Sequence, residues 1–255
     1  NFTSSNNVAI GVSALLGLSG NSNGSNNIAI GELAGCSLTS GGNNFFGGKQ
    51  AGCRVNTGCN NVFIGERAGE DTTSGCYNNA FGRFAGLRLT TGCYNNFFGF
   101  GAGRYNNEGN NNNFIGNSAG RYNTGGSANN FLGNSAGRRN TTGCYNNFFG
   151  NEAGHCFTSS NNVAIGNSAL RGQNGTSTGS HNLAIGCRAG YQVTSGTRNV
   201  FIGQIAGQCN TTGSHNNMLG GCAGAANLTG SYNNFFGRNA GLVNDTGTAN
   251  NFIGR

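Results

Sequence analysis

One glycine returns along this chain at nearly constant intervals, and that spacing restricts the fold more than any other feature. Set at position zero, the series is Gly11, Gly31, Gly48, Gly65, Gly82, Gly99, Gly116, Gly133, Gly150, Gly166, Gly186, Gly203, Gly220, Gly237 and Gly254. The fourteen spacings are 20, seven of 17, 16, 20 and four of 17. Ala follows at plus three in all fourteen copies that reach that far, and Gly recurs at minus seven in thirteen. Short fixed periods are the mark of stacked repeat architectures. A unit of 17 residues is too short for a helical hairpin but suits one turn of a solenoid built from short strands and corners. The expected fold is therefore all-β: a parallel β-solenoid, or β-roll, of about fifteen coils, mostly 17 residues each. Coils rise by the interstrand spacing of about 4.8 Å, so fourteen intervals imply an array on the order of 67 Å.

Four residues before each zero stands an asparagine, without exception. These are Asn7, Asn27, Asn44, Asn61, Asn78, Asn95, Asn112, Asn129, Asn146, Asn162, Asn182, Asn199, Asn216, Asn233 and Asn250. In register they form a ladder, each amide donating to one neighbour and accepting from the other, which satisfies groups that would be costly if buried singly. The segment YNNFFG, present three times, is one rung of this ladder followed by a strand.

The three residues after the asparagine read as that strand: Val-Ala-Ile in some copies, Asn-Phe-Phe, Asn-Phe-Ile or Val-Phe-Ile in others. Alternation places minus three and minus one on one face and minus two on the other. With the outer pair filling the coil, the minus-two file of Phe46, Phe63, Phe97, Phe114, Phe131, Phe148, Phe201, Phe235 and Phe252 becomes an exposed apolar stripe and a candidate assembly interface. The competing reading is a coil wide enough to pack both faces internally.

Composition agrees once this placement is seen. With 49 Gly, no Pro and 8% charged residues the chain resembles low complexity, yet its apolar residues are strictly placed. The net charge of +7 is mild, and no Lys/Arg block suggests nucleic-acid binding. No apolar run is long enough for membrane insertion. No targeting segment is visible, and the chain reads as a processed product or a piece of a longer fibrous one. A longer period also exists: FTSSNNVAIG at 2–11 recurs at 157–166, a shift of 155 residues or nine coils, so residues 1–255 form a single array with a super-repeat.

The stretches NNVAIGVSAL, NNIAIGELAG and HNLAIGCRAG resemble the head repeats of trimeric autotransporter adhesins. NNFIGNSAG and its kin are similar to β-roll repeats in phage tail-fibre shafts and other surface fibres. The resemblance spans the chain and rests on one short glycine-rich motif. It implies side-by-side packing of chains, a trimer in the adhesins, and an extracellular, cell-surface or virion-surface location.

Several side chains depart from the repeat in ways that carry chemistry. Cys36 and Cys53 share plus five, while Cys59, Cys76 and Cys93 share minus six. One coil apart, such pairs lie within disulfide range, and a bridge closing a 17-residue loop would contribute roughly 3 kcal/mol. Free thiols are the alternative, and the spacing makes a poor zinc pattern, so no metal is expected. Ten cysteines in a structural array favour an oxidising, extracellular setting. Glycosylation sequons begin at Asn1, Asn140, Asn174, Asn210, Asn227 and Asn244, and a less regular one at Asn23. Most fall at minus ten, on a Thr-Thr-Gly corner where a glycan would point outwards. Arg104, Arg121 and Arg138 share plus five, with Tyr105 and Tyr122 beside two of them. They form a candidate site for acidic surface glycans, or else a solvated corner.

Three histidines in separate coils and seven acids offer little for acid–base catalysis. No enzyme activity and no cofactor are expected. The sequence reads as a structural subunit of an extracellular fibre or filament, a rigid shaft whose partners are other copies of itself. The alternative is an adhesin or receptor-binding fibre that contacts surface glycans.

Overall fold

A computed structural model describes residues 5–17, 22–173 and 177–254. They form two compact units, Asn1–Ala128 and Asn129–Arg255, each a β-solenoid of parallel three-residue strands. The first holds β1 (Val8–Ile10), β2 (Ile28–Ile30), β3 (Phe45–Gly47), β4 (Val62–Ile64), β5 (Asn79–Phe81), β6 (Asn96–Phe98) and β7 (Asn113–Ile115). The second holds β8 (Asn130–Leu132), β9 (Asn147–Phe149), β10 (Val163–Ile165), β11 (Leu183–Ile185), β12 (Val200–Ile202), β13 (Asn217–Leu219), β14 (Asn234–Phe236) and β15 (Asn251–Ile253). The described residues contain no helix.

Register follows the repeat. Val62 pairs with Asn79, Phe63 with Ala80 and Ile64 with Phe81; the same one-to-one pairing continues in the second unit, as in Val200 with Asn217. Backbone bonds run along the axis from every side of the coil: Val62 N–H to Asn78 O at 2.8 Å on the strand, Gly69 to Ala85 at 2.9 Å past the first corner, Asn56 to Thr73 at 2.9 Å on the far side. Within a coil, Ala68 N–H closes on Gly65 O and Thr72 N–H on Gly69 O, making successive tight turns.

The asparagine ladder is present and does more than link amides. Asn44 Nδ2 donates to Asn27 Oδ1 at 3.0 Å and to the minus-seven carbonyl of the next coil, Gly58 O, at 2.9 Å. Asn27 Oδ1 also accepts the backbone N–H of Asn44 at 3.0 Å. Asn61, Asn78 and Asn95 repeat this pattern, as do Asn199 and Asn216 in the second unit. Both amide hydrogens are thus engaged and the oxygen takes two donors, which is what full burial of such a group demands.

The strand faces are the reverse of the sequence expectation. Phe46, Phe63, Phe97, Phe114, Phe131, Phe148, Phe201 and Phe235 are all 0% exposed and form the core, while minus three and minus one point outwards. Phe252, in the last coil, stacks on Phe235 at 5.1 Å and is 44% exposed. The minus-two file is therefore not an exposed stripe. The physical reason lies across the coil: the space inside is bounded by the plus-three Ala and plus-four Gly, small enough to admit one large side chain per turn. A Cβ on Gly69 would sit 2.3 Å from the Phe63 ring, and Gly69 also has φ +58°. The Phe rings stack along the axis, as in Phe97–Phe114 at 5.3 Å and Phe131–Phe148 at 4.9 Å.

Two of the five coils with Ala at minus two fill the corner, while Gly35, Gly86 and Gly190 keep glycine beside Ala29, Ala80 and Ala184. Glycine at plus four is replaced by Leu15 and Leu170, both buried, in the coils whose minus-two residues are Ala9 and Ala164. Each Leu adopts a left-handed conformation, φ 47° and 44°, which costs roughly 1 kcal/mol, and fills the room a missing Phe leaves. The zero-position glycine is needed for another reason: its φ is +131° at Gly99, where a Cβ would meet Gly116 O at 2.7 Å. No L-side chain fits both constraints.

Neighbouring phenylalanines separate the two faces experimentally. Phe97→Asp buries a carboxylate in the ring stack and should cost more than about 4 kcal/mol, enough to unfold its unit. Phe98→Asp removes an outward ring that stacks on Phe81 and should cost about 1–2 kcal/mol. Urea unfolding of the two variants checks the assignment; equal losses would contradict it.

Candidate assembly interface

In each unit the first and third residues of every strand make an outer sheet face. Across all fifteen strands none of these residues is charged. One file holds the third residues, Ile, Leu or Phe nearly throughout, and many are well exposed: Ile64 37%, Phe98 38%, Ile115 44%, Leu132 37%, Ile165 39%, Phe236 39%. The other file alternates between apolar blocks and asparagine. Where it is asparagine, a second, outer ladder forms: Asn79 to Asn96 at 2.8 Å and Asn96 to Asn113 at 2.7 Å, then Asn130 to Asn147 at 2.9 Å, and Asn217 to Asn234 to Asn251 at 2.8 Å each. The ladder holds these side chains flat along the sheet.

An uncharged strip of this kind, in either unit, is unusual on a water-facing surface. Charges lie instead on the corners, where Lys49–Glu32 and Arg83–Glu66 pair between successive coils at 2.9 and 3.0 Å, and Arg54–Asp71 at 2.8 Å. Being exposed, each is worth at most about 1 kcal/mol. Sequence reasoning placed the exposed face one residue off, on the minus-two file. Its overlooked signal was variability: minus three accepts Val, Ile, Leu, Phe or Asn, a tolerance typical of an outward position.

The minus-ten side chains also point inwards. Asn140, Asn210 and Asn227 are 0% exposed, in the file that elsewhere holds the buried Leu38, Val55, Leu89 and Val193. Asn227 Nδ2 donates to Asn210 Oδ1 at 2.8 Å and to Gly230 O at 2.9 Å, and half-buried Asn244 repeats this with Asn227 and Gly247. The nitrogen that would carry a glycan is thus committed inside the coil, and these four sites are not accessible sequons. Asn23 is exposed; Asn1 and Asn174 lie outside the described residues.

No disulfide is present among the described residues, so the bridges open to Cys36, Cys53, Cys59, Cys76 and Cys93 are not formed. Cys59 and Cys76 are brought together, Sγ to Sγ at 2.8 Å. Cys36 Sγ donates to Cys53 O at 3.3 Å, and Cys93 Sγ accepts the Cys76 N–H at 3.2 Å. Burial, with the neighbouring thiol Cys36, pushes Cys53 up to about 12; burial and Cys59 push Cys76 up to about 11. No group of three or more His, Cys, Asp or Glu side chains among the described residues could hold a metal ion.

Arg104 and Arg121 sit half-buried on one corner of the first unit. Their guanidinium carbons lie 5.3 Å from the Tyr105 and Tyr122 ring centres, and those rings stack at 5.3 Å. Neither has an acidic partner in an ion pair among the described residues. Arg138, in the second unit, is likewise half-buried. A separate file of exposed rings stands at minus five, where Tyr77 and Tyr94 stack at 4.9 Å.

No family model, curated protein or solved structure matches the chain. No helix among the described residues is long and apolar enough to cross a membrane.

Three groups give stability a pH dependence of known sign. His155 is buried beside Cys156, Nδ1 to Sγ 3.2 Å, and burial, partly opposed by Glu152 and reinforced by Arg171, Arg138 and Arg139, holds its pKa down to about 4. Between pH 6.5 and 4 the unfolded chain binds a proton that the folded chain does not, so stability falls as pH drops through that window. Above pH 9.0 the unfolded chain releases the Cys53 and Cys76 protons that the folded chain keeps to about 12 and 11, so stability falls as pH rises. Thermal midpoints under reducing conditions should therefore plateau between about pH 6.5 and 9. His155→Gln should remove the acid decline, and Cys53→Ala with Cys76→Ala should flatten the alkaline one. A profile unchanged by these substitutions would contradict the assignments.

Proposed function

We propose that this chain is a structural subunit of an extracellular fibre or filament, a rigid solenoid shaft that assembles with further copies of itself. The observation that carries the reading is the pairing of two features. Interior polar side chains are spent on holding one coil to the next, and in each unit the outward sheet face carries an apolar file and is free of charge. The first supplies stiffness along the axis; the second supplies a surface that gains free energy when covered. The similarity of the NNVAIG-type motif to adhesin heads and fibre shafts points the same way, and to a location outside the cell or on a virion surface.

Electron microscopy of the native particle, with mass measured per unit length, tests this. A shaft of laterally packed copies has two or more coils for each rise of about 4.8 Å; particles with a single coil per rise, and no association at high concentration, would overturn it.

A second reading, a fibre that contacts acidic surface glycans, is favoured by Arg104 and Arg121 lying on stacked tyrosines without an acidic partner in an ion pair. It requires glycan-array binding that disappears when Arg104, Arg121 and Arg138 are substituted. Absence of binding at low salt would dismiss it.

A further inference from the structure

The outer face of the second unit is not merely apolar; its residue types are symmetric about one strand. Along the first-residue file, counting outwards from Leu183 in β11, Val163 is matched by Val200, Asn147 by Asn217 and Asn130 by Asn234. The third-residue file is nearly as symmetric about Ile185: Ile165 is matched by Ile202, Phe149 by Leu219 and Leu132 by Phe236.

From this pattern we infer that the outer face of β8–β14 is an isologous interface occupied by a second copy of this chain, packed antiparallel about a two-fold axis along β11. A two-fold axis parallel to a strand leaves the position along the strand unchanged and reverses the stacking direction. It therefore sets first residue against first residue and third against third, with β10 facing the partner's β12 and β11 facing its own image. Only that arrangement brings Val onto Val, Leu onto Leu and asparagine onto asparagine. In the third file each mismatch sets a Phe against a Leu, so bulk on one side is met by a smaller side chain on the other. A parallel two-fold pair would instead set Asn130, Asn147, Asn217 and Asn234 against the Leu and Phe of the third-residue file, leaving amides to face hydrocarbon at four of the seven levels. Isologous contacts need this kind of self-complementarity.

The face is also open to a partner: all fourteen outward side chains of β8–β14 are at least partly exposed, Leu132, Ile165 and Phe236 the most. No charged residue stands at any of these positions to oppose burial. The coils share one spacing, about 4.8 Å, so a second copy meets the strip in step over its whole length. The outer asparagines, already bonded along the face as in Asn217 to Asn234, can still accept or donate across the seam.

The inference rests on the reading of the chain as an assembling shaft, and charge substitution on the full chain tests the two separately. Light scattering would read the mass of wild type, Val163→Lys, Val200→Glu and the double variant, with circular dichroism to confirm the fold. Wild type should show a two-copy species, and each single variant should weaken association at least tenfold. The double variant should recover it, because the ammonium introduced on β10 then faces the carboxylate introduced on the partner's β12. A wild type that assembles while these substitutions change nothing, a three-copy species, or single variants that the double fails to rescue would overturn the antiparallel pairing and leave the shaft reading standing. A wild type that stays monomeric at every concentration would overturn both.

Discussion

The structure depends on one buried amide per coil. At minus four the chain must supply a side chain that donates twice and accepts twice within a few ångströms of its own backbone. Asparagine has that inventory at that reach. Its oxygen takes both the side-chain and backbone N–H of the next asparagine, while its nitrogen reaches the minus-seven carbonyl of the following coil, as in Asn61 to Asn44 and Gly75. That triangle fixes axial register and ties the strand to the corner before it; glycine recurs at minus seven because successive corners approach closely there, a Cβ on Gly58 meeting Gly75 O at 2.6 Å. Leucine or aspartate at such a rung would leave carbonyls and N–H groups without partners in a dry interior.

With the ladder in place, the rest of the coil is a problem of volume. One large ring per turn fits between the strand and the corner built from plus-three Ala and plus-four Gly. In two of the five coils that lack the ring, those of Ala9 and Ala164, Leu15 and Leu170 replace the corner glycine; Ala29, Ala80 and Ala184 keep Gly35, Gly86 and Gly190. The outer face is under a different constraint. It has no volume to match within the chain, so it varies among Val, Ile, Leu, Phe and Asn, with Gly47 once, and carries no charge.

Fold class, strand positions, register and ladder were all legible from spacing alone, because a fixed period stacks each position on its own copy in the next coil. The facing of the strand was not. A three-residue strand such as Asn96-Phe97-Phe98 has apolar residues on both faces, and alternation cannot say which is inside. The discriminating signal was correlation between positions: Leu at plus four occurs only opposite Ala at minus two, which is the behaviour of two groups sharing one cavity. The minus-ten asparagines misled for a related reason. Asn210 and Asn227 read as corner sequons, yet the same file carries Val55 and Leu89, which marks it as interior. The thiols were placed correctly in files, but only the geometry shows Cys59 and Cys76 meeting at their sulfurs while Cys36 turns to a carbonyl.

The most direct test of the ladder's role is hydrogen exchange at the asparagine side-chain amides, read by isotope-resolved NMR. Asn44, Asn61, Asn78, Asn199 and Asn216 have both Nδ2 hydrogens committed inside the coil, whereas corner asparagines such as Asn117 and Asn134 are exposed. The ladder amides should exchange only through unfolding of the coil, orders of magnitude more slowly than the corner amides. Ladder amides that exchange as fast as corner amides would mean that the coils are held together by something else.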